Sequence, residues 1–210
     1  MVNENKNKEN NILVVGLSGS LRAGSYTSMA VKIALQAAKE VGVQTEFIDL
    51  NKYNLAFCDG RRDVNTYSEG VINLKKTFAK ARGIILGTPE YHGGYSGVLK
   101  NAIDLMGFQE FEGKMIGLIG VSGGTMGATN ALNSLRNIGR SLHAWIIPEQ
   151  AAIGEAWKVF DKTGAMKDNN LDQRVREVGR QVARFAYLHT SEKSKEFLST
   201  WESAPENPGG

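Results

Sequence analysis

The sequence predicts an α/β fold, a three-layer sandwich in which helices cover both faces of a five-stranded parallel sheet. Two observations predict it. The apolar runs at 12–15 (ILVV), 83–88 (GIILGT), 114–121 (KMIGLIGV) and 142–147 (LHAWII) lack the strict alternation of half-exposed strands, as expected of strands buried on both faces. Stretches of helical apolar spacing alternate with these runs along the chain, the pattern of strand–helix–strand crossovers.

Residues 1–10, rich in Asn, Lys and Glu, are expected to form a disordered lead-in to a single domain over 11–190. After the first strand, Met29, Ala30, Ile33, Ala34, Ala37 and Val41 recur at helical spacing, and Gly42 supplies a stop. A second strand follows over 43–50. Residues 51–66 are irregular, and the charged cluster DGRRD at 59–63 reads as a solvated loop or, alternatively, as a subunit contact or site rim. Val71, Leu74 and Phe78 mark a helix over 67–80. The third strand, 83–88, is expected to be broken by Pro89. Val98, Leu99, Ala102, Ile103 and Met106 give the inner face of the next helix, on which Lys100 and Asn101 read as structural and Asn101 could cap a neighbouring loop. The fourth strand, 114–121, leads to SGGTMG at 122–127, and Leu132, Leu135 and Ile138 face inward from a helix over 128–140. The fifth strand, 142–147, is expected to end at Pro148, with His143 inside it and with Trp145 and Trp157 packed. Leu171, Val175, Val178, Val182 and Phe185 mark a long final helix, and 191–210 reads as a mobile tail.

Right-handed crossovers leave few ways to order five such strands, and 2-1-3-4-5, the flavodoxin-like order, is the natural one. It sets the first and third strands side by side with their following helices on opposite faces. The crevice at their carboxyl ends then receives the loops at 18–27 and 89–97, with 122–127 on its rim.

Bulk properties exclude several classes of function. A net charge of +3 is too small to argue for nucleic acid. One cysteine, Cys58, rules out an intramolecular disulfide, a paired-cysteine redox centre and a cysteine-rich metal site, so redox chemistry would need a bound cofactor. No apolar run approaches the ~20 residues of a membrane span, and the polar start lacks the apolar core of a signal peptide, which points to the cytoplasm. No metal-ligand cluster and no Ser/His/Asp arrangement is seen.

The first loop carries the most chemistry. A strand that ends in small residues and enters a helix aims free N–H groups and the positive helix end at one spot, which suits a phosphate. Ser18, Ser20, Ser25, Tyr26 and Thr27 add hydroxyls, and Arg22 adds a charge-assisted donor. An ordinary strand–turn–helix also needs Gly and Ser, but not this density of Ser beside an Arg. The Walker spacing and the dinucleotide G-x-G-x-x-G spacing are both missing, and Cys58 is too distant to serve as a phosphatase nucleophile here. In the second loop Pro89, Glu90, Tyr91, His92, Gly93, Gly94 and Tyr95 combine flexible backbone with rings that could flank a flat group. Glu90 could equally cap or pair, and His92 could be solvated. In the third, Ser122, Gly123 and Gly124 offer exposed N–H groups.

GSLRAGSYT at 19–27 with GTPEYHGGYSGVLKNAID at 87–104 resembles the NADPH-dependent FMN reductase family, which includes azoreductases and chromate and quinone reductases. The likeness runs over about residues 10–150. It implies a flavodoxin-like fold, bound FMN, and hydride passing from NADPH or NADH to an acceptor that takes the place of the nicotinamide. It implies that Ser20, Arg22, Ser25, Tyr26 and Thr27 hold the FMN phosphate, that Pro89, Glu90, Tyr91 and His92 lie under the flavin ring, and that Ser122, Gly123 and Gly124 meet its far edge. Relatives often read P-E-Y-N in the second loop where this chain has His92. The expected acceptor is a quinone, azo compound, free flavin or metal oxyanion. No protein side chain is expected to act as catalytic acid, base or nucleophile. The resemblance further implies a homodimer or homotetramer, with the 51–66 loop and the helix after residue 97 as contacts. The alternative is a flavodoxin-type electron carrier, although flavodoxins tend to be acidic and this chain is not.

Overall fold

Strand β1 (Leu13–Ser18) lies inside a parallel sheet between β2 (Gln44–Asp49) and β3 (Gly83–Tyr91), and β5 (Met115–Val121) and β6 (Trp145–Ile153) continue beyond β3. The order β2-β1-β3-β5-β6 is the expected flavodoxin-like one, with a short extra strand, β4 (Gly94–Tyr95), hairpinned onto β3. The computed structural model describes residues 12–61, 63–190 and 192–203, and the lead-in expected at 1–10 lies outside them.

Alternate residues of each strand feed two cores. Val14, Ile85, Ile119 and Ile153 pack under α1 (Tyr26–Glu40) and α7 (Asn169–Thr190). Val15, Leu17, Ile84, Leu86, Ile116 and Leu118 pack under α2 (Glu69–Lys80), α3 (Gly97–Asp104), α4 (Phe108–Phe111) and α5 (Thr129–Ser141). With both faces covered, no strand needs a polar side, which is why the runs read as continuous apolar segments. On the first face α1 presents Ala30, Ala34, Ala37 and Ala38, and α7 approaches so closely that a Cβ on Gly179 would stand 1.9 Å from the Ala34 carbonyl oxygen.

Two prolines expected to stop strands do not. Pro89 continues β3, opposite Val121 of β5. The Gly87 carbonyl accepts from Gly19 N–H at 2.8 Å on the β1 side, and backbone polar groups two residues apart point the same way. Pro89 therefore turns its donorless nitrogen to the side that β1 has left, since β1 ends at Ser18 opposite Gly87. Pro148 lies within β6, the sheet's edge strand, at a register irregularity between Ile116 and Leu118 of β5. Arg136 donates to the Pro148 carbonyl at 3.0 Å and to Gln150 Oε1 at 2.9 Å, which fixes the irregular stretch. His143, expected within this strand, precedes it in a left-handed turn (φ 57°). Trp145 and Trp157, expected to pack, are exposed.

The 51–66 segment is tied down at several points. Asn101 on α3 clamps it, accepting from Cys58 N–H at 2.9 Å and donating to the Ala56 carbonyl at 3.0 Å. Asp59 is gripped by the Arg61 guanidinium, which holds its carboxyl well below the usual carboxylate range, and Tyr67 donates to it at 3.1 Å. Of the stretch read as a tail, Glu192–Glu202 forms a helix, α8.

Candidate active site

The site is assembled where β1, β3 and β5 end. Gly19 is the pivot. Its N–H bonds the Gly87 carbonyl, and its carbonyl accepts from the Ser96 hydroxyl at 2.6 Å. A Cβ on Gly19 would lie 2.7 Å from Leu99 Cβ and 2.8 Å from Ser96 Oγ, so only glycine lets the first loop lie on the start of α3. Ser96 also accepts from Leu99 N–H at 3.2 Å as the N-cap of α3, and its own N–H bonds Thr88 Oγ1 at 3.0 Å. Sequence reasoning did not single out Ser96 or Thr88; the available signal was a Ser before a helical run, the ordinary mark of an N-cap.

The first loop ends in Ser25, the N-cap of α1, whose hydroxyl accepts from Ser28 N–H at 3.3 Å. Ser20 accepts from Arg22 N–H at 3.4 Å. Both hydroxyls act as acceptors within the chain, so each keeps its proton to donate outward. The N–H groups of Tyr26 and Thr27, the first of the helix, have no partner among the described residues. The Arg22 side chain is exposed and makes no hydrogen bond or ion pair among them. Thr27 is buried with its methyl over Gly87, and its hydroxyl has no partner among the described residues. Two expected donors sit differently. Ser18 is buried and its hydroxyl is paired with that of Ser28 at 2.9 Å, which fastens the end of β1 to the first turn of α1. Tyr26 stacks its ring on Phe160, with centroids 5.3 Å apart, so it offers the mouth its N–H rather than its hydroxyl.

The second loop is a tight hairpin. Tyr91 pairs with Gly94, and His92 (φ 52°) and Gly93 (φ 77°) fill the two-residue turn, the positive pair that a type I′ hairpin requires. Tyr91 and His92 are exposed at its tip. Glu90 reaches the other way. Its carboxylate accepts from Ala131 N–H at 3.0 Å in the first turn of α5, where the N-cap residue, Ala128, has no side-chain acceptor. A negative charge at a helix N-terminus is favourable by about 0.3–1 kcal/mol. The hairpin is therefore braced on both sides, by Ser96 on the first loop and by Glu90 on the helix after the third.

In the third loop Ser122 Oγ accepts from Gly124 N–H at 3.0 Å. The loop is held from behind by the segment after β6, through Glu155 N–H to the Gly124 carbonyl (2.9 Å) and Ala156 N–H to the Ser122 carbonyl (3.1 Å). The Gly123 N–H makes no bond among the described residues. The mouth thus sets the N–H groups at the start of α1, unpartnered among the described residues, at the same end of the sheet as the hairpin and the third loop. No group of three or more potential metal ligands occurs among the described residues. A cavity of about 480 Å³ lined by Ile12, Val43, Arg184 and Tyr187 lies at the opposite, amino end of the sheet, away from this site.

The NADPH-dependent FMN reductase family matches residues 12–158. An FMN-dependent NADPH-azoreductase of Staphylococcus aureus (strain USA300) is 32% identical over 172 residues, which is 80% of this chain and 91% of the relative. In fold, the chain is similar to FerB, a flavoenzyme NAD(P)H:(acceptor) oxidoreductase from Paracoccus denitrificans (TM-score 0.69, 22% identity, 85% of this chain and 98% of the other). It is also similar to a flavodoxin from the domain Archaea (TM-score 0.58, 12% identity, 83% and 99%).

Proposed function

The chain belongs to the NADPH-dependent FMN reductase family, and from that premise we propose that it binds FMN at the mouth of β1 and passes hydride from NADPH or NADH to a small-molecule acceptor. The observation that carries the reading is the donor set. Two helix N–H groups and one guanidinium without partners among the described residues, and two hydroxyls with protons to give, all lie within residues 20–27 at the end of β1, a donor set suited to a dianionic phosphate.

Bound FMN supplies a ring that accepts hydride at one face and returns it to an acceptor. The chain's residues do the holding. Ser20, Arg22, Ser25 and the N–H groups of Tyr26 and Thr27 fix the phosphate end. The strand end at Pro89, Glu90 and Tyr91, with the turn at His92 and Gly93, walls the slot, and Glu90 braces that wall through α5. Ser122, Gly123 and Gly124 present backbone donors on the far side, placed to favour negative charge on a bound ring. No side chain need transfer a proton in the hydride step, and the site needs none. The acceptor class is a quinone, azo compound, free flavin or metal oxyanion, and the azo compound is the one favoured by the Staphylococcus aureus relative's name.

The test is anaerobic. The purified protein should take up FMN, and NADPH should then bleach the flavin band within the mixing time. A loaded protein that does not bleach is an electron carrier.

We place the protein in the cytoplasm, in keeping with its one free, exposed cysteine; no described helix is long and apolar enough to cross a membrane. We also propose a homodimer or homotetramer with the 51–66 loop at its contact. Phe57 supports this: it is 87% exposed, yet the Asn101 clamp holds the residues on either side of it. Phe57→Asp should lower the mass measured by light scattering to that of a monomer, while an unchanged mass would move the contact elsewhere.

A further inference from the structure

The segment from Gly154 to Phe160 runs from the third loop to the first residue of α1. At one end, a Cβ on Gly154 would lie 2.7 Å from the Thr125 carbonyl oxygen, and the amides of Glu155 and Ala156 bond the third loop. At the other end Phe160 stacks on Tyr26, the first residue of α1. Between these anchors stands the short helix α6 (Ala156–Val159). Ala156 is buried, but Trp157 is 59% exposed. Lys158 Nζ lies 4.9 Å from the centroid of the indole and is paired with Glu155 at 2.5 Å, so one face of the ring is covered by a neutralised cation. Every other segment at the mouth also leaves a large apolar side chain exposed: Leu21 in the first loop, Tyr91 in the hairpin and Met126 in the third loop. Exposed apolar side chains grouped at a cleft mark a binding rim, unlike single ones scattered over a surface.

We infer that Trp157 is a specificity-determining residue, an apolar lip against which flat, uncharged acceptors seat in preference to compact anions. The inference rests on the flavin reading of the cleft and deepens it. A planar acceptor offers a face to stack on an indole and loses little hydration on entering an apolar collar. A compact oxyanion gains nothing from stacking and would have to shed water at a rim where the Lys158 ammonium is already paired with Glu155.

The test compares wild type, Trp157→Ala and Trp157→Phe as FMN-loaded proteins. Menadione serves as the flat acceptor and ferricyanide as the compact anion. In Trp157→Ala the ratio of kcat/KM for menadione to that for ferricyanide should fall about tenfold, through KM, and Trp157→Phe should restore most of it. At equilibrium without NADPH, the menadione Kd of the oxidised protein, read from the perturbation of flavin absorption, should rise by a similar factor. An unchanged ratio or an unchanged Kd overturns the proposal. So does a drop in molecular mass on Trp157→Ala with menadione kinetics as in wild type, which would make the ring a contact between copies. Failure of the wild type to take up FMN would instead sink the flavin reading beneath it, and failure of the loaded protein to bleach with NADPH would sink the hydride-transfer reading.

Discussion

Arg22→Ala should leave the apoprotein's melting temperature where it is and raise the Kd for FMN about 10- to 100-fold. The two halves of that result come from separate observations. The guanidinium is exposed and touches no acceptor among the described residues, so its removal takes nothing from the fold. In the complex it is the one formal positive charge among the phosphate donors, and a hydrogen bond between charged groups contributes about 1.5–3 kcal/mol. The remaining donors are neutral and stay in place, because Ser25 caps α1 and Ser20 holds the turn whether or not Arg22 is there. Arg22→Lys should recover only part of the loss, since an ammonium keeps the charge but not the two-pronged geometry. Wild-type affinity should also weaken with added salt more steeply than that of the alanine variant, because a contact at an exposed site is screened. Titration of the apoprotein followed by flavin fluorescence measures all three. Equal affinities in wild type and Arg22→Ala would remove the phosphate from the mouth of β1.

The parts of this molecule that could be read from the sequence are those set by neighbours in the chain. The runs around Val14, Ile85 and Ile119 announce buried strands because both of their faces are covered, and the Ser-rich turn announces a helix start. What could not be read depends on where distant elements end. Pro89 looks like a breaker until β1 is seen to stop two residues short of it, and Pro148 until β6 is seen to be the sheet's edge. Glu90 caps a helix 41 residues away, and the Ser96 hydroxyl that seats the first loop closes a gap of 77. Neither pairing leaves a local pattern. The hairpin tip was also hidden, because His92 occupies a left-handed position more often given to Asn or Gly. Trp157 failed in the opposite direction. Its size suggests burial, but a helix of four residues anchored at both ends had no further core to offer it.

The largest effect on the scaffold should come from a single methyl group far from the mouth. Gly179 lies within α7, where helix propensity alone predicts that alanine stabilises by about 1 kcal/mol. Packing predicts the reverse. The new Cβ would stand 1.9 Å from the Ala34 carbonyl oxygen and 2.7 Å from its carbon, and these are backbone atoms of α1 that cannot rotate away. The two helices would have to part, at an overpacking cost of about 3 kcal/mol. The net loss, about 2 kcal/mol, should lower Tm by about 4–8 °C in a domain of this size. Gly139 of α5 provides the comparison. A Cβ there would meet Ile146 Cδ1 at 2.1 Å and Cγ1 at 2.7 Å, nominally just as close, but both belong to a half-buried side chain that can turn aside and neither is backbone. Gly139→Ala should therefore stay within about 1 kcal/mol of wild type, its propensity gain offsetting the adjustment. If both variants melt alike, the closeness of α1 and α7 is not what holds that face together. The contact matters beyond stability, because the free N–H groups of Tyr26 and Thr27 are the end of α1, and α7 fixes the direction in which that end points. Gly179→Ala should consequently weaken FMN binding at temperatures where the chain is still fully folded, whereas Gly139→Ala, on the opposite face of the sheet, should not.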